Sequence, residues 1–360
     1  MRHAQLAVPF ALIALVTVVD VLAPRDVHLG PFLVAAPALT ASFAGPRMTG
    51  FVGLVAVLAQ SVVAAVRTTL TDLNHTFQIG ALVMISVFVT FFAHLREVHE
   101  KELVQLRSVA ETAQQVVLRP LRDRIGPLGV ASVYLAAAAE AQIGGDLYAA
   151  ARTARGTRLI VGDVRGKGLE AVGDAALVLG AFRAAAHREA GLPGLVDYLE
   201  GAVSPDVDDG VDRGESFITA AVLDVPDDEP VVHLVSCGHP PPLVLRRDGR
   251  VDPLDVEQPA PPLGLAGLVE SSRGVGLGAP PVTSQTFDFG EGEVLLLYTD
   301  GVLEARDRSG AFYPLAERAA AWSGLHPRVL LERLCEDLLA HATGNTLGDD
   351  AAMVAVERLG

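Results

Sequence analysis

The chain has 360 residues, of which 50% are hydrophobic and 20% charged, and a formal net charge of −15. It is long enough for about two or three domains and more apolar than usual for a soluble protein. Residues 1–95 carry a formal +1 and the other residues −16. Such an acidic part without a basic stripe excludes nucleic acid as an expected partner. The two cysteines, Cys237 and Cys335, indicate neither a disulfide framework nor a zinc site.

The first 95 residues contain four apolar runs, at residues 4–23, 31–44, 51–66 and 77–95. The first and last reach the roughly 20 residues that cross a bilayer, whereas the two middle runs are shorter and could tilt or be re-entrant. A cleaved signal peptide is the alternative for the first run, but no small-residue cleavage site separates it from the next. We predict a membrane region over residues 1–95 with about four transmembrane helices.

An even number of spans places both ends of this region on one side of the membrane. Counting positive charges puts Arg2, Arg47 and the group Arg96, Lys101 and Arg107 together on that side, which is then the cytoplasm. The difference in positive charge between the two sides is slight. This orientation predicts a multi-pass protein of the cell membrane with its carboxyl-terminal domain in the cytoplasm.

Residues 96–120 are charged and favour a helix, which Pro120 ends. Apolar residues repeat along it at spacings of three and four, namely Leu103, Leu106, Ala110, Ala113 and Val117. Two heptads fit a short coiled coil between two copies of the chain and fit equally a helix that packs on the next domain. We predict a linker or signalling helix here, with a homodimer as one possibility.

The remaining residues, 121–360, alternate between short β-branched runs and a few helical patterns. Helices are predicted at 169–189 and 328–342. Strands are predicted at 130–135, 158–164, 217–225, 231–235, 243–246, 282–289, 294–298 and 352–356. Many strands with few helices, not in strict alternation, indicate an α+β layered sandwich and not a doubly wound parallel sheet.

Four aspartates stand next to glycine at strand edges: Asp146, Asp163, Asp300 and Asp349, the last followed by Asp350. One such residue is most often a turn residue, but four in one domain suggest a cluster. Carboxylates without cysteine or paired histidine prefer hard cations such as Mg²⁺ or Mn²⁺. Two such ions bind a phosphoryl group and lower the pKa of a water between them, so phosphoester hydrolysis is the expected chemistry.

Six segments in chain order carry a family resemblance: EAQIGGDLYAA (140–150), LIVGDVRGKGLEA (159–171), FITAAVLDV (217–225), SCGHPPPLVL (236–245), LLLYTDGVLEARD (295–307) and GDDAAMVAV (348–356). Together they resemble the type 2C metal-dependent protein serine/threonine phosphatases. The bacterial branch typified by the stage II sporulation protein E phosphatase and by regulators of general stress sigma factors is the more similar one. The resemblance covers about residues 108–360.

This resemblance implies an α/β/β/α sandwich with two Mn²⁺ or Mg²⁺ ions. It implies Asp146 and Asp163 as the first metal carboxylates, with Asp163 bridging and the carbonyl of Val164 as a further ligand. Asp300 and Asp349 would complete the second-metal side, and the family's doublet favours Asp349 over Asp350. The same four aspartates are the expected catalytic residues.

The sequence also departs from the family's motifs. Ala149 stands where an acidic residue is usual, and Leu147 where an aromatic one is common. Eukaryotic relatives place a histidine after the bridging aspartate, where this chain has Arg165 and Gly166. His239 is a candidate general acid, although a histidine between glycine and proline more often fixes a loop. The general acid therefore stays unassigned.

Taken together, the sequence predicts a membrane-anchored phosphatase that acts on phosphoserine or phosphothreonine of a cytoplasmic regulatory protein, such as an anti-sigma-factor antagonist. The alternative is a catalytically impaired receptor or scaffold that binds a signalling partner, which Ala149 leaves open. A membrane transporter is the weakest hypothesis, because the apolar runs show no pair of charges inside the membrane.

Overall fold

The computed structural model describes residues 2–24, 29–67, 73–137, 144–203, 217–266 and 281–360. Within helices, the side chains of residues 2–6, 73–75, 103–104 and 106–116 lie outside the description. The chain forms two compact units, Met1–Leu106 and Arg107–Gly360. Each unit has its own buried cluster of apolar side chains.

The first unit is helical. Its helices are α1 (Arg2–Leu22), a 3₁₀ turn (Gly30–Val34) that continues into α2 (Ala35–Phe43), α3 (Pro46–Val66) and α4 (Leu73–Val117). All four predicted apolar runs are therefore helical where they are described. Two stretches are long and apolar enough to cross a membrane, Pro46–Val66 and Thr76–Glu102, whereas the stretches Ala7–Leu22 and Gly30–Phe43 are shorter. The count of four spans stays a prediction.

One ion pair inside the first unit was not expected from the sequence. Arg67 Nη2 lies 3.3 Å from Asp20 Oδ1, and both side chains are almost fully buried. The same guanidinium donates to backbone carbonyls of Asp20 and Ala23. The pair links the end of α1 to the residue that follows α3, and only Asp20 of the two lies inside a predicted apolar run.

The predicted linker is helical, and it is the carboxyl-terminal part of the 45-residue helix α4. The helix ends at Val117, three residues before Pro120, because proline cannot donate the next backbone hydrogen bond. Val117 packs against the core of the second unit. The other residues of the predicted apolar repeat, Leu103, Leu106, Ala110 and Ala113, have side chains outside the description, so pairing of two copies stays a prediction.

The second unit contains two antiparallel sheets. Its strands are β1 (Arg124–Ile125), β2 (Leu128–Leu135), β3 (Leu147–Arg152), β4 (Gly156–Val164), β5 (Ile218–Pro226), β6 (Val231–Cys237), β7 (Leu243–Leu245), β8 (Val251–Pro253), β9 (Gln285–Asp288), β10 (Val294–Tyr298) and β11 (Ala351–Arg358). One sheet has the order β1-β2-β11-β10-β7-β8, and the other β3-β4-β5-β6-β9.

Helices cover the outer faces of the two sheets. The described helices of this unit are α5 (Leu169–Ala185), α6 (Leu192–Val203), α7 (Asp300–Leu303), α8 (Leu315–Ala320) and α9 (Pro327–His341). Helices α5 and α6 contact the sheet that contains β4, and α9 contacts β2 and β11 of the other. The result is an α/β/β/α sandwich, as the sequence predicted.

Strand β10 shows why the central strands are continuous apolar runs. Leu295 and Leu297 point into the core between the sheets, whereas Leu296 and Tyr298 point into the core under α9. Because successive side chains of a strand face opposite ways, a strand with both faces covered has no position for a polar residue.

Candidate metal centre

Antiparallel pairing brings the four predicted aspartates to one end of the sandwich. Asp146 directly precedes β3, and Asp163 lies near the end of β4, whose Gly162 pairs with Leu147. In the other sheet, Asp300 follows the end of β10, and Asp349 precedes the start of β11, where Tyr298 pairs with Met353. In each sheet the end of one strand thus lies beside the start of its partner.

Three of these carboxylates form a tight group. Asp146, Asp163 and Asp300 each offer an oxygen within 4.8 Å of the others. Asp146 is 3% exposed and lies deepest, while Asp300 is exposed at the mouth. Carboxylates this close repel each other unless a proton or a cation lies between them, so the group is suited to a cation.

A threonine that the sequence analysis missed joins the two sheets at this point. Thr299 Oγ1 donates a hydrogen bond of 2.7 Å to Asp146 Oδ2. The same hydroxyl accepts the backbone N–H of Ala352 at 2.9 Å. Thr299 is fully buried, so its single proton orients Asp146 across the gap between the sheets.

The two adjacent aspartates, Asp349 and Asp350, have different roles. Asp349 lines a cleft of about 270 Å³ together with Asp163 and Asp300. Its carboxylate lies 2.9 Å from Lys167 Nζ. Asp350 is 3% exposed, and its oxygens accept the backbone N–H groups of Ala137, at 2.6 Å, and of Gly144. Asp350 therefore fixes the chain before Asp146, and Asp349 is the one that faces the cleft.

Two glycines of the motifs allow the strand ends to approach each other. A Cβ on Gly301 would lie 1.9 Å from the backbone oxygen of Asp350. A Cβ on Gly145 would lie 2.7 Å from the backbone oxygen of Val164 and 2.4 Å from its Cβ. Any larger residue at either position would push the aspartate-bearing segments apart.

The electrostatics of the cluster raise the pKa of its carboxyl groups. Burial raises the pKa of Asp163 to about 7, with further increases from Asp300 and Asp349. Burial, followed by the charge of Asp163, raises the pKa of Asp146 well above its usual range, although the hydroxyl of Thr299 opposes this. Burial also raises the pKa of Asp300. Groups that resist ionisation in the bare chain gain most from a bound cation.

The donor set fits Mn²⁺ or Mg²⁺. It consists of carboxylates, and Val164, whose carbonyl is the predicted further ligand, lines the same cleft. Hard divalent cations prefer such oxygen ligands. Cys237, which is fully buried, lies in the core between the sheets and not at this cluster.

His239 has a structural role in this arrangement. Its Nδ1 lies 3.1 Å from Thr219 Oγ1, and its Nε2 lies 3.0 Å from the backbone oxygen of Tyr298. Burial lowers the pKa of His239 to about 4, so the ring is neutral near pH 7. Because Nε2 must carry the proton to donate to a carbonyl, both nitrogens are occupied in fixing the loop. The loop-fixing interpretation therefore fits better than that of a general acid.

The family profile described as Stage II sporulation protein E (SpoIIE) matches residues 153–359. The chain belongs to this family. Its carboxyl-terminal unit is a SpoIIE-type domain of the metal-dependent PP2C class of serine/threonine phosphatases. The predicted family and fold class are thereby confirmed.

A solved structure that aligns with a TM-score above 0.5 shares this fold with the SpoIIE-type domain. The SiaA-PP2C domain of Pseudomonas aeruginosa aligns with a TM-score of 0.56 and 16% identity, over 73% of this chain and 99% of that one. The RsbU and RsbW domains of Rv1364c from Mycobacterium tuberculosis align with a TM-score of 0.49 and 24% identity, over 65% of this chain and 62% of that one. The chain thus spans less than two thirds of the Rv1364c chain.

The catalytic domain of the serine/threonine phosphatase PstP has been solved with two manganese ions. It aligns with a TM-score of 0.45 and 18% identity, over 65% of this chain and 99% of that one.

Proposed function

We propose that this chain is a membrane-anchored protein serine/threonine phosphatase whose catalytic domain hydrolyses a phosphate ester on a cytoplasmic regulatory protein. The observation that supports it most is the group of Asp146, Asp163 and Asp300, whose oxygens lie within 4.8 Å of one another in a SpoIIE-type domain. Asp349 lines the same cleft. Four carboxylates gathered at one end of a sandwich repel each other, so their clustering does not itself stabilise the fold.

Several residues of the cleft would together hold two divalent cations. Asp163 is central, because its carboxylate is close to Asp146, Asp300 and Asp349. The carbonyl of Val164 adds a neutral oxygen. When bound, two such cations neutralise the phosphate and lower the pKa of a water molecule for in-line attack. Thr299 holds Asp146 in place for this purpose.

The same cleft offers positive charge to a phosphate. Lys167 and Arg165 both line it. Arg165 stacks over Phe217 at 5.1 Å from the ring centroid, which holds the guanidinium at the rim of the cleft. Oxygens of a phosphoserine or phosphothreonine would pair with these groups while its protein remains outside.

The proposal also includes a membrane anchor, formed by the first unit, and a regulatory phosphoprotein as the substrate. Two stretches of the first unit are long and apolar enough to span a membrane, and α4 continues from one of them to Val117. A catalytic domain tethered in this way acts on cytoplasmic proteins that reach the membrane. Membership of the SpoIIE family supports a regulatory phosphoprotein, such as an anti-sigma-factor antagonist, as the substrate.

A scaffold without turnover is the second candidate function. The specific observation in its favour is Ala149, where the family's motif usually carries an acidic residue. Such a chain would bind a signalling partner, and would bind metal at the remaining aspartates, without releasing phosphate.

The test uses the full chain in non-ionic detergent, with p-nitrophenyl phosphate and a phosphoserine peptide as substrates. Mn²⁺ should give turnover that EDTA abolishes, and Asp163→Asn should lower kcat/KM by at least about 100-fold. Asp248→Asn removes an exposed carboxylate on a distant loop and should leave the rate unchanged. Metal binding without any phosphate release would favour the scaffold.

A further inference from the structure

A second cavity, of about 510 Å³, lies in the catalytic unit and shares no lining residue with the aspartate cleft. Its walls are the segment after α4, the strand β3 and the end of α5. Six side chains that are basic or can become so line it, and we call it the arginine pocket: Arg119, Arg122, Arg124, Arg152, Arg183 and His187. Among the described residues that line it, none is acidic.

The positive charge of the pocket is opposite in sign to the net charge of the domain. Residues beyond 95 carry a formal −16. Arg152 is neutralised by Asp227, with Nη1 and Oδ1 2.6 Å apart. Within the part of the chain that the structure describes, Arg119, Arg122 and Arg124 form no ion pair with a carboxylate. Their charges therefore add to the potential inside the pocket.

Arg183 is the deepest cation of the pocket. Its Nη2 donates to the backbone oxygen of Val117 at 3.1 Å, and within the described residues it too has no carboxylate partner. Burial lowers the pKa of Arg183, and the like charge of Arg119 lowers it further. The two guanidinium groups line the same pocket and are close enough for their charges to interact, an arrangement that a bound anion would relieve.

The shape of the pocket comes from small residues on an edge strand. Among the described strands β3 pairs with β4 alone, so its other edge is available to the pocket. The part of β3 that lines it consists of Ala149, Ala150 and Ala151, followed by Arg152. Ala149 stands where the family's motif usually has a carboxylate, so this residue adds no negative charge beside the pocket.

We propose that the arginine pocket binds a phosphate-bearing anion, either a free phosphate compound or the phosphate headgroup of an anionic lipid. Guanidinium groups recognise phosphate through two parallel hydrogen bonds, and several of them around one cavity suit a group with two or more negative charges. A volume of about 510 Å³ is of the size that holds a small ligand.

The arginine pocket lies where three elements of the catalytic unit meet, so an anion bound in it would contact all three. Arg119 belongs to the segment that follows α4, Arg152 ends β3, and Arg183 lies in the last turn of α5. The other ends of β3 and α5 adjoin Asp146 and Lys167 of the aspartate cleft. An anion in the pocket would thus hold the end of the linker against both elements that carry the cleft.

The test measures binding to the full chain in non-ionic detergent, with EDTA present so that the aspartate cleft offers no metal to a phosphate. Pyrophosphate is titrated by calorimetry at fixed ionic strength. The variant Arg119→Gln with Arg122→Gln should bind at least about ten-fold more weakly, because each lost guanidinium removes charge-assisted hydrogen bonds. Both side chains are exposed, so the fold should be retained.

The matched control is Arg250→Gln with Arg333→Gln, which removes the same charge from two exposed arginines elsewhere on this unit. It should bind pyrophosphate as the unmodified chain does. A second titration with dioctanoyl phosphatidic acid, against dioctanoyl phosphatidylcholine, distinguishes the sources. Preference for phosphatidic acid over pyrophosphate assigns a lipid headgroup, and the reverse assigns a free phosphate compound.

Either preference supports the proposal when the arginine variant loses it and the control variant keeps it. No binding of either compound would overturn it, as would equal binding by the arginine variant. Equal or tighter binding of a phosphate-free glutamate peptide would overturn the phosphate assignment and point to an acidic protein segment instead.

Discussion

The ammonium of Lys167 lies 2.9 Å from the carboxylate of Asp349, at the mouth of the cleft that Asp163 and Asp300 also line. A cation of the chain itself is thus paired with the fourth of the proposed metal carboxylates. About two fifths of each side chain is exposed, so the pair contributes at most about 1 kcal/mol. A divalent ion can displace such a weakly held ammonium.

The first prediction follows from this competition. Lys167→Gln should tighten Mn²⁺ binding by up to about five-fold, because Asp349 no longer has to leave an ion pair. Isothermal titration of the full chain in detergent measures the change. Lys101→Gln, which removes a lysine paired with Glu97 in the first unit, should have no effect. Weaker binding by Lys167→Gln would mean that Lys167 helps to build the site and does not compete for it.

The second prediction concerns Thr299. Thr299→Val keeps the shape of the side chain but leaves Asp146 Oδ2 without its buried donor. The catalytic unit should lose about 1–3 kcal/mol of unfolding free energy, and Mn²⁺ should bind more weakly. The fluorescence of the single tryptophan, Trp322, which packs in the core of this unit, reports the unfolding. Thr299→Ser keeps the hydroxyl and should restore both properties, and its failure to do so would sink the hydrogen-bond account.

The third prediction separates the two residues of the doublet. Asp350→Asn replaces an acceptor of two backbone N–H groups and should cost about 2–3 kcal/mol of stability. Asp349→Asn removes an exposed ion pair but keeps an oxygen that can accept the backbone N–H of Asp350, so it should leave stability nearly unchanged and weaken Mn²⁺ binding. Denaturant unfolding and metal titration of both variants measure the contrast. The opposite pattern would assign the metal to Asp350.

The fourth prediction is a pH dependence. The pKa of Asp163 is raised from 3.8 to about 7, so in the metal-free chain its protonation stabilises the fold fully below about pH 4. This contribution is lost as the pH rises through about 7, when the carboxylate ionises among its neighbours. Mn²⁺ requires the ionised form. It should therefore raise the melting temperature of the catalytic unit more at about pH 8 than at about pH 6. An equal rise at both pH values would contradict the raised pKa.

The central strands and the four aspartates could be predicted because their causes are local. Strands such as β10, with both faces buried, leave an apolar run in the sequence, and each aspartate is marked by an adjacent glycine. Strand β3 was not predicted, since alanine has a weak strand preference and pairing with β4 imposes its conformation. Helix α6 was not predicted either, because Pro193 and Gly194 read as a turn although proline is well tolerated in a first helical turn.

The partners of the aspartates could not be predicted from the sequence. Their contacts depend on the direction in which each side chain points, and strand patterns carry no information on that direction. This applies to Thr299, Lys167 and Asp350. Asp349 and Asp350 are identical in type and adjacent, and only the backbone N–H groups around Asp350 separate them. The arginine pocket likewise joins residues that are up to 68 positions apart in the chain.

The most direct test of the metal centre is the number of Mn²⁺ ions bound per chain, measured by calorimetry on the full chain at about pH 8, above the pKa of about 7 of Asp163. We predict two ions for the unmodified chain, a loss of at least one for Asp163→Asn, and two again for Asp248→Asn. Absence of Mn²⁺ binding in the unmodified chain, or binding that Asp163→Asn leaves unchanged, would contradict a metal site built on these aspartates.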